Sequence, residues 1–494
     1  MNRPFSIFLF GLCVSPILLW ANNVQLHDLH LIDPQHIGVT VNWEHSWRLD
    51  EGPSNHDAVW IFLKYRSEGG AWQHANLSII DQAHIVGFPL EGKAVEDGKG
   101  LFVRRAMPGS GEISPTLLEL ELAAPLPFGT LDLEIYGIEM VYIPEGGFLL
   151  GDSSSFHHFR EAQSGSPFWI GDEQTIPDSL LSVGSEAAIY GQIPARYPKG
   201  FGALYSMKYE LSQAQYVDFL NVLSYQQQLN RTSQSPASAP GTAALTLNGI
   251  LTNRNGILLE VSGQSPNLPA LYNSDAQTDG QYNQVDDGQT RACNYLSWKD
   301  LLAYLDWAGL RPMSELEFEK ICRGPERAVP GEFAWGTPHI IDANTVMQDG
   351  TEDESVTEVA DSITGLGSHG YTGPAGPLRS GFGGTDSSDR LQIGATYYGV
   401  LEMSGNLWEL CVTVDSLGLL FEGTHGDGHL TEEGEANVSS WSLEDGGIHR
   451  GGAWFSGIIE PYRDLAISDR FYHELQPFLR RNTTGGRGVR TVDF

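Results

Sequence analysis

Three short helices with clear start signals, separated by long polar segments, limit what this chain can form. Each begins at a serine followed three residues later by the partner of a capping box: Ser212 with Gln215, Ser297 with Asp300, and Ser314 with Glu317. The spacing predicts helices that end near residues 221 and 307 and just before Gly324. Residues 222–290 and 337–395 are rich in Gly, Ser and Asp and lack hydrophobic periodicity. They predict long surface insertions, so we expect an α+β chain with much irregular structure.

The first part of the chain is predicted to be a separate all-β unit. Apolar and β-branched residues cluster or alternate at 37–43, 58–65 and 117–122, with Gly and Pro between these runs. No helical period appears before residue 136, and a new strand pattern follows at 139–144. We therefore expect a small β-sandwich domain over 22–135 and a second domain over 136–494.

The N-terminus and the charge balance indicate an exported, acidic protein. Arg3 precedes an apolar run, and Ala21 offers a small residue for cleavage, which is typical of a signal peptide over 1–21. The signal is either cleaved there or retained as an anchor, and no transmembrane helix is expected in the mature chain. We expect a periplasmic, outer-surface or secreted location. The chain has 29 Lys and Arg and 62 Asp and Glu. A surface this negative repels phosphate groups, so no nucleic-acid partner is expected.

Short motifs follow one another in order from residue 140 onwards. They are MVYIP at 140–144, GGF at 146–148, MKYELSQ at 207–213, WAGLRP at 307–312, SELEFEK at 314–320, GVLEMSGNLWE at 399–409, RGGAW at 450–454 and GVR at 488–490. In this order they resemble the motifs of the formylglycine-generating enzyme, or sulfatase-modifying factor, family, including its exported members of the Bacteroidetes type. The resemblance implies a C-type-lectin-like fold over 136–494, preceded here by the β-sandwich.

The resemblance also implies a pair of cysteines after the RGGAW strand, which bind copper(I) and oxidise a substrate cysteine. In this sequence the first position is Ser456 and the second falls near Pro461, and no cysteine follows Cys411. Serine is a poor ligand for copper(I) and proline offers none, so we expect neither copper nor formylglycine generation. The candidate cleft residues that remain are Trp454, Ser456, Arg463 and Arg470.

Calcium is the cofactor that the resemblance still favours, because its ligands are carboxylate and carbonyl oxygens. The implied ligands of a structural site are the side chains of Glu402 and Glu409 with the carbonyl groups of Gly405 and Leu407. A weaker second calcium site is implied at Asn344, Thr345, His369 and Tyr371, where a histidine replaces an acidic ligand. Cys293 and Cys322 flank two predicted helices, so a disulfide between them stays open.

Three functions are compatible with these observations. The chain is either a non-catalytic binding or structural component of the cell envelope, an oxidoreductase with a non-standard active site, or a calcium-dependent carbohydrate-binding protein. In the first case the segments 222–290, 337–395 and 415–447 would form a recognition surface for an unknown protein or glycan. In the third case exposed aromatic side chains such as Trp441 and Trp454 would contact the sugar.

Overall fold

The computed structural model describes residues 24–154, 157–183, 191–370, 373–384, 389–456, 463–471 and 476–492. The predicted signal peptide over 1–21 lies outside these ranges. Within them, no helix combines the length and the apolar character needed to cross a membrane. The described residues form a mixed structure, mostly of strands with four α-helices, which agrees with the expected α+β class.

The N-terminal part consists of strands. In chain order they are β1 (Gln25–Asp33), β2 (His36–Arg48), β3 (Asp57–Ser67), β4 (Gln73–Ala75), β5 (Ile85–Val86), β6 (Leu90–Ala94), β7 (Leu101–Arg105), β8 (Gly109–Glu121) and β9 (Leu131–Ile143). One antiparallel sheet has the order β1-β2-β8-β5. In the second sheet β3 lies between β9 and β7, with β6 beyond β7 and β4 attached to β3.

The rest of the chain combines short strands with the helices. The strands are β10 (Phe148–Leu150), β11 (Phe159–Glu161), β12 (Phe168–Ile170), β13 (Leu181–Val183), β14 (Leu204–Met207), β15 (Ile257–Val261), β16 (Leu271–Ser274), β17 (Arg311–Pro312), β18 (Ile340–Asp342), β19 (Val346–Met347), β20 (Ser355–Val356), β21 (Gly365–Gly367), β22 (Trp408–Val412), β23 (Gly447–Arg450), β24 (Thr484–Gly485) and β25 (Gly488–Thr491). The helices are α1 (Gln213–Asn221), α2 (Tyr225–Arg231), α3 (Trp298–Trp307) and α4 (Glu315–Arg323).

The three predicted helices are confirmed as α1, α3 and α4, and their capping boxes are formed as expected. Gly324 ends α4 with φ 65°, a left-handed conformation that favours glycine. The segment 222–290, predicted to be a long surface insertion, also contributes to the core. This segment contains α2, β15 and β16, and it buries Leu245, Leu259 and Tyr272 in the largest hydrophobic cluster. Segment 337–395 likewise has regular structure, with β18 to β21 around a small core of its own.

The second sheet joins the two predicted domains. Strand β9 runs without interruption through the predicted boundary at 135/136. One edge of β9 pairs with β3 over eleven residue pairs, and the other pairs with β14, which continues to β25 and β17. The boundary expected at 135/136 therefore lies inside a strand that both parts share.

Strand β3 is buried on both faces, which explains its nearly unbroken apolar sequence. Val59, Ile61 and Leu63 belong to the hydrophobic cluster between the two N-terminal sheets. The alternate residues Trp60 and Phe62 belong to the cluster that contains α1 and α3. The N-terminal strands thus form one wall of the core that supports the family motifs.

Candidate functional site

The segment 402–409, which leads into β22, contains two non-glycine residues in a left-handed backbone conformation. Glu402 has φ 56° and Asn406 has φ 59°, conformations that few residues other than glycine and asparagine adopt readily. The Gly405 N–H donates to the carbonyl of Gly451 (2.8 Å), and the Trp454 N–H donates to the carbonyl of Asn406 (2.8 Å). The GVLEMSGNLWE and RGGAW motifs are therefore held against each other.

Three buried carboxylates meet around this loop. Glu210 accepts hydrogen bonds from the Leu407 N–H (2.8 Å) and from the Asn406 amide (2.5 Å). Glu402 accepts from the Gly381 N–H through Oε1 (2.9 Å). Glu409 accepts from Arg487, whose Nε lies 2.6 Å from Oε1. Sequence reasoning missed Glu210 and Arg487 as site residues, although Glu210 lies within the MKYELSQ motif quoted above.

The carboxylates of this cluster have raised pKa values. Burial raises the pKa of Glu402 to about 7, against the attraction of Arg487. Burial also raises the pKa of Glu409, again opposed by Arg487. The pKa of Glu210 lies well above its ordinary value because of burial and the nearby charge of Glu409. Burial therefore disfavours the ionised form of all three carboxyls, and Arg487 offsets this effect only in part.

The predicted calcium ligands fit a cation in one respect. Among the described residues, Glu402 Oε2 and Glu409 Oε2 are buried carboxylate oxygens without a hydrogen-bond partner. Calcium binds carboxylate oxygens of this kind, and burying such an oxygen without a hydrogen-bond partner costs free energy. Within the described ranges, no group of three or more His, Cys, Asp or Glu is arranged to hold a metal ion. Carbonyl oxygens such as those of Gly405 and Leu407 would have to complete the ligand set.

The second predicted calcium set is brought together only in part. The parallel pairing of β18 with β21 places the segment of Asn344 and Thr345 beside that of His369. The Asn344 and Thr345 N–H groups both donate to Glu358, at 3.2 and 3.1 Å from Oε2. The His369 N–H donates to Asp342 (3.2 Å), an acidic residue that the prediction did not include. Tyr371 lies outside the described residues.

Two of the predicted cleft residues, Ser456 and Arg470, are buried and bonded within the protein. Ser456 is buried, its hydroxyl accepts a hydrogen bond from the Ala453 N–H (2.9 Å), and its carbonyl accepts from the Gly370 N–H (2.7 Å). Arg470 is only 2% exposed, and its guanidinium forms an ion pair with Glu315. Arg463 begins a short 3₁₀ helix, Arg463–Leu465, and its side chain lies outside what the structure describes.

The aromatic side chains expected to be exposed are buried. Trp441 is 5% exposed and Trp454 is 6% exposed. Their indole N–H groups donate to the carbonyls of Thr424 and Asn482, both at 3.0 Å. The expectation that these two rings form a sugar-stacking surface was therefore wrong.

The described cysteines are free and buried. Cys293, Cys322 and Cys411 form no disulfide, so the bridge considered between Cys293 and Cys322 is not present. Burial raises the pKa of all three thiols above the ordinary value. These side chains are therefore poor sources of the thiolate that copper(I) binds.

A cleft of about 850 Å³ separates the N-terminal strands from the loops of the second part. The ends of β2 and β8 form one wall, and residues around 352–353, 379–384 and 399–401 form the other. Four acidic residues line it, Glu44, Glu112, Glu352 and Asp353, against two basic ones. Both basic side chains are already engaged within the protein, Lys208 by Glu139 and Arg379 by backbone carbonyls.

Comparison with known proteins agrees with the order of the motifs. Residues 136–492 match the family model described as a sulfatase-modifying factor enzyme 1-like domain. The formylglycine-generating enzyme of Bos taurus is 24% identical over 271 residues, which cover 52% of this chain and 64% of that protein. The formylglycine-generating enzyme of Thermomonospora curvata is 24% identical over 168 residues, 34% of this chain and 45% of that protein. The chain spans less than two thirds of each relative. Because the family model covers more than half of its length, this chain belongs to the sulfatase-modifying factor enzyme 1-like family.

Proposed function

We propose that this protein is an exported, non-catalytic member of its family that acts as a binding or structural component. The observation that carries the proposal is the chemistry around Ser456. A serine stands where the resemblance implies the first copper-binding cysteine, and its hydroxyl is already bonded to the Ala453 N–H. The described thiols are buried with raised pKa values. These features disfavour copper(I) binding and cysteine oxidation.

Metal analysis combined with a peptide assay tests this proposal. Purified protein supplied with copper(I) is expected to retain no stoichiometric copper and to leave the cysteine of a sulfatase-derived peptide unoxidised. The Thermomonospora curvata formylglycine-generating enzyme, treated in parallel, provides the positive control. Copper bound at one equivalent together with peptide oxidation would overturn the proposal in favour of the oxidoreductase alternative.

Calcium forms the structural part of the proposal. Glu402 and Glu409 would hold it through their unpartnered oxygens, assisted by the carbonyls of Gly405 and Leu407. Bound there, calcium would balance charge that Arg487 leaves uncompensated and would stabilise the contact between loops 402–409 and 450–454.

The cleft between the two parts is the place we propose for partner recognition. Its lining has more acidic than basic residues, and the basic ones are internally bonded, which favours a partner with a basic surface.

Replacing Glu352 and Asp353 by Lys should weaken a complex captured from the native source by at least about tenfold. Replacing exposed Asp172 and Asp178 by Lys, which changes net charge equally outside the cleft and outside the three candidate recognition segments, should have little effect. Equal losses for both variants would indicate a general charge effect and contradict the assignment.

A further inference from the structure

Arg487 occupies a position in the Glu210, Glu402 and Glu409 cluster that the family resemblance does not explain. It lies immediately before the GVR motif at the start of β25 and is fully buried. No local pattern in the sequence marks it as a site residue. Its importance comes from the three carboxylates that the fold gathers near it.

All three nitrogen atoms of the Arg487 guanidinium contact oxygen atoms of the protein. Nε and Nη2 both contact Glu409 Oε1, at 2.6 and 2.5 Å. Nη2 also donates to the Leu401 carbonyl (2.8 Å), and Nη1 donates to the carbonyls of Met207 (3.3 Å) and Lys208 (3.2 Å). An arginine has five N–H donors in a fixed planar fork, so this side chain is held in one orientation.

These contacts leave the cluster only partly balanced. Arg487 engages one oxygen of Glu409, whereas Glu409 Oε2 and Glu402 Oε2 have no hydrogen-bond partner in the described structure. The hydrogen bonds of Arg487 go to Glu409 and to backbone carbonyls, and not to the buried carboxyls of Glu210 or Glu402. A divalent cation and the guanidinium would then act on the same carboxylate from different sides, and two cations so close repel each other.

We propose that Arg487 is a resident counter-cation that holds Glu409 when calcium is absent and lowers the affinity of the site for calcium. The effect on calcium affinity rests on the proposed calcium site, whereas the role of Arg487 in holding Glu409 does not. It predicts a loop that stays folded over a wide range of calcium concentration, because part of the required positive charge is covalently attached to the chain.

Calcium binding to the full chain, measured by competition with a chromophoric chelator, tests this proposal. Arg487→Met should bind calcium about tenfold or more tightly than the unchanged protein, because the repelling charge is gone. Its unfolding temperature should also fall further when calcium is replaced by EGTA. Arg487→Lys, which keeps the charge, should bind calcium like the unchanged protein. Arg311→Met removes another buried, ion-paired arginine, and should leave the calcium affinity unchanged.

A double-mutant cycle in EGTA tests the counter-cation role without calcium. Arg487→Met leaves Glu409 buried and unpaired, so adding Glu409→Gln should recover part of the lost stability. Strictly additive losses would overturn the role of Arg487 as counter-cation, and an unchanged or weaker calcium affinity in Arg487→Met would overturn the competition. Absence of calcium binding in every variant would refute the proposed calcium site. The double-mutant cycle would still decide whether Arg487 is the counter-cation of Glu409.

Discussion

Replacing Glu315 by Gln is expected to lower the free energy of unfolding by about 3–5 kcal/mol, because it leaves two buried guanidinium groups without their shared counter-charge. Glu315 is fully buried on α4, and its carboxylate contacts Arg450 (2.9 Å) and Arg470 (2.5 Å). Arg450 bridges onward to Glu319, one turn along the same helix (2.9 Å). Glutamine keeps the shape but removes the charge. Urea-induced unfolding followed by far-UV circular dichroism measures the loss.

The pH dependence of that loss provides an internal check. Burial alone would raise the pKa of Glu315, but Arg470 and Arg450 outweigh it and hold the pKa below the ordinary value of 4.5. A carboxyl with a depressed pKa stabilises the fold above that value and loses its contribution as the pH falls below it. The gap between unchanged protein and Glu315→Gln should therefore shrink under acid conditions. The exposed Glu432→Gln should show no gap at any pH, and a constant gap for Glu315→Gln would contradict the ion-pair explanation.

Replacing Trp60 by Ala is expected to cost about 3–5 kcal/mol and to destabilise both parts of the chain together. Trp60 projects from β3 into the core below α3, where its indole N–H donates to the Ala308 carbonyl (2.9 Å). The Arg490 guanidinium lies 4.6 Å from its ring. The side chain thus links the N-terminal sheet to both the WAGLRP and GVR motifs.

Hydrogen–deuterium exchange read by mass spectrometry distinguishes joint from separate unfolding. Peptides from β1 to β8 and peptides from α1 to α4 should lose protection together in Trp60→Ala, because β9 belongs to both parts. Trp169→Ala serves as the control, since Trp169 is 58% exposed and its loss should cost about 0.5 kcal/mol or less. Loss of protection limited to the N-terminal strands would show that the parts unfold independently.

The features that could be predicted from the sequence are those with local causes. The helices α1, α3 and α4 were found because each carries a capping box beside an apolar stripe. Helix α2 also has a box, Ser224 with Gln227, but its sequence YQQQLNR shows no such stripe. Tertiary contacts stabilise α2 instead. The buried Gln228 side chain donates to the carbonyl of Ala270, just before β16, and accepts from the N–H of the same residue.

The candidate site was predictable only where the motifs coincide with it. Glu402 and Glu409 were found because they stand in the GVLEMSGNLWE motif. Arg487 could not be predicted as a site residue, because its partners Glu409, Leu401 and Met207 are 78 or more residues away in the sequence. For the same reason, the sequence gives no sign that Arg470 pairs with Glu315, because the two residues are 155 positions apart.

The sheet shared through β9 also determines how the molecule would respond to mechanical load. Eleven antiparallel residue pairs connect β3 to β9, whereas only three connect β14 to β25 at the C-terminal end. Under tension between the two ends, the short C-terminal ladder would yield first and the long one would hold. If the protein were pulled from a point near its C-terminus, the β14–β25 pairing would therefore be the first part to separate. Its separation would pull Arg487, next to β25, away from Glu409.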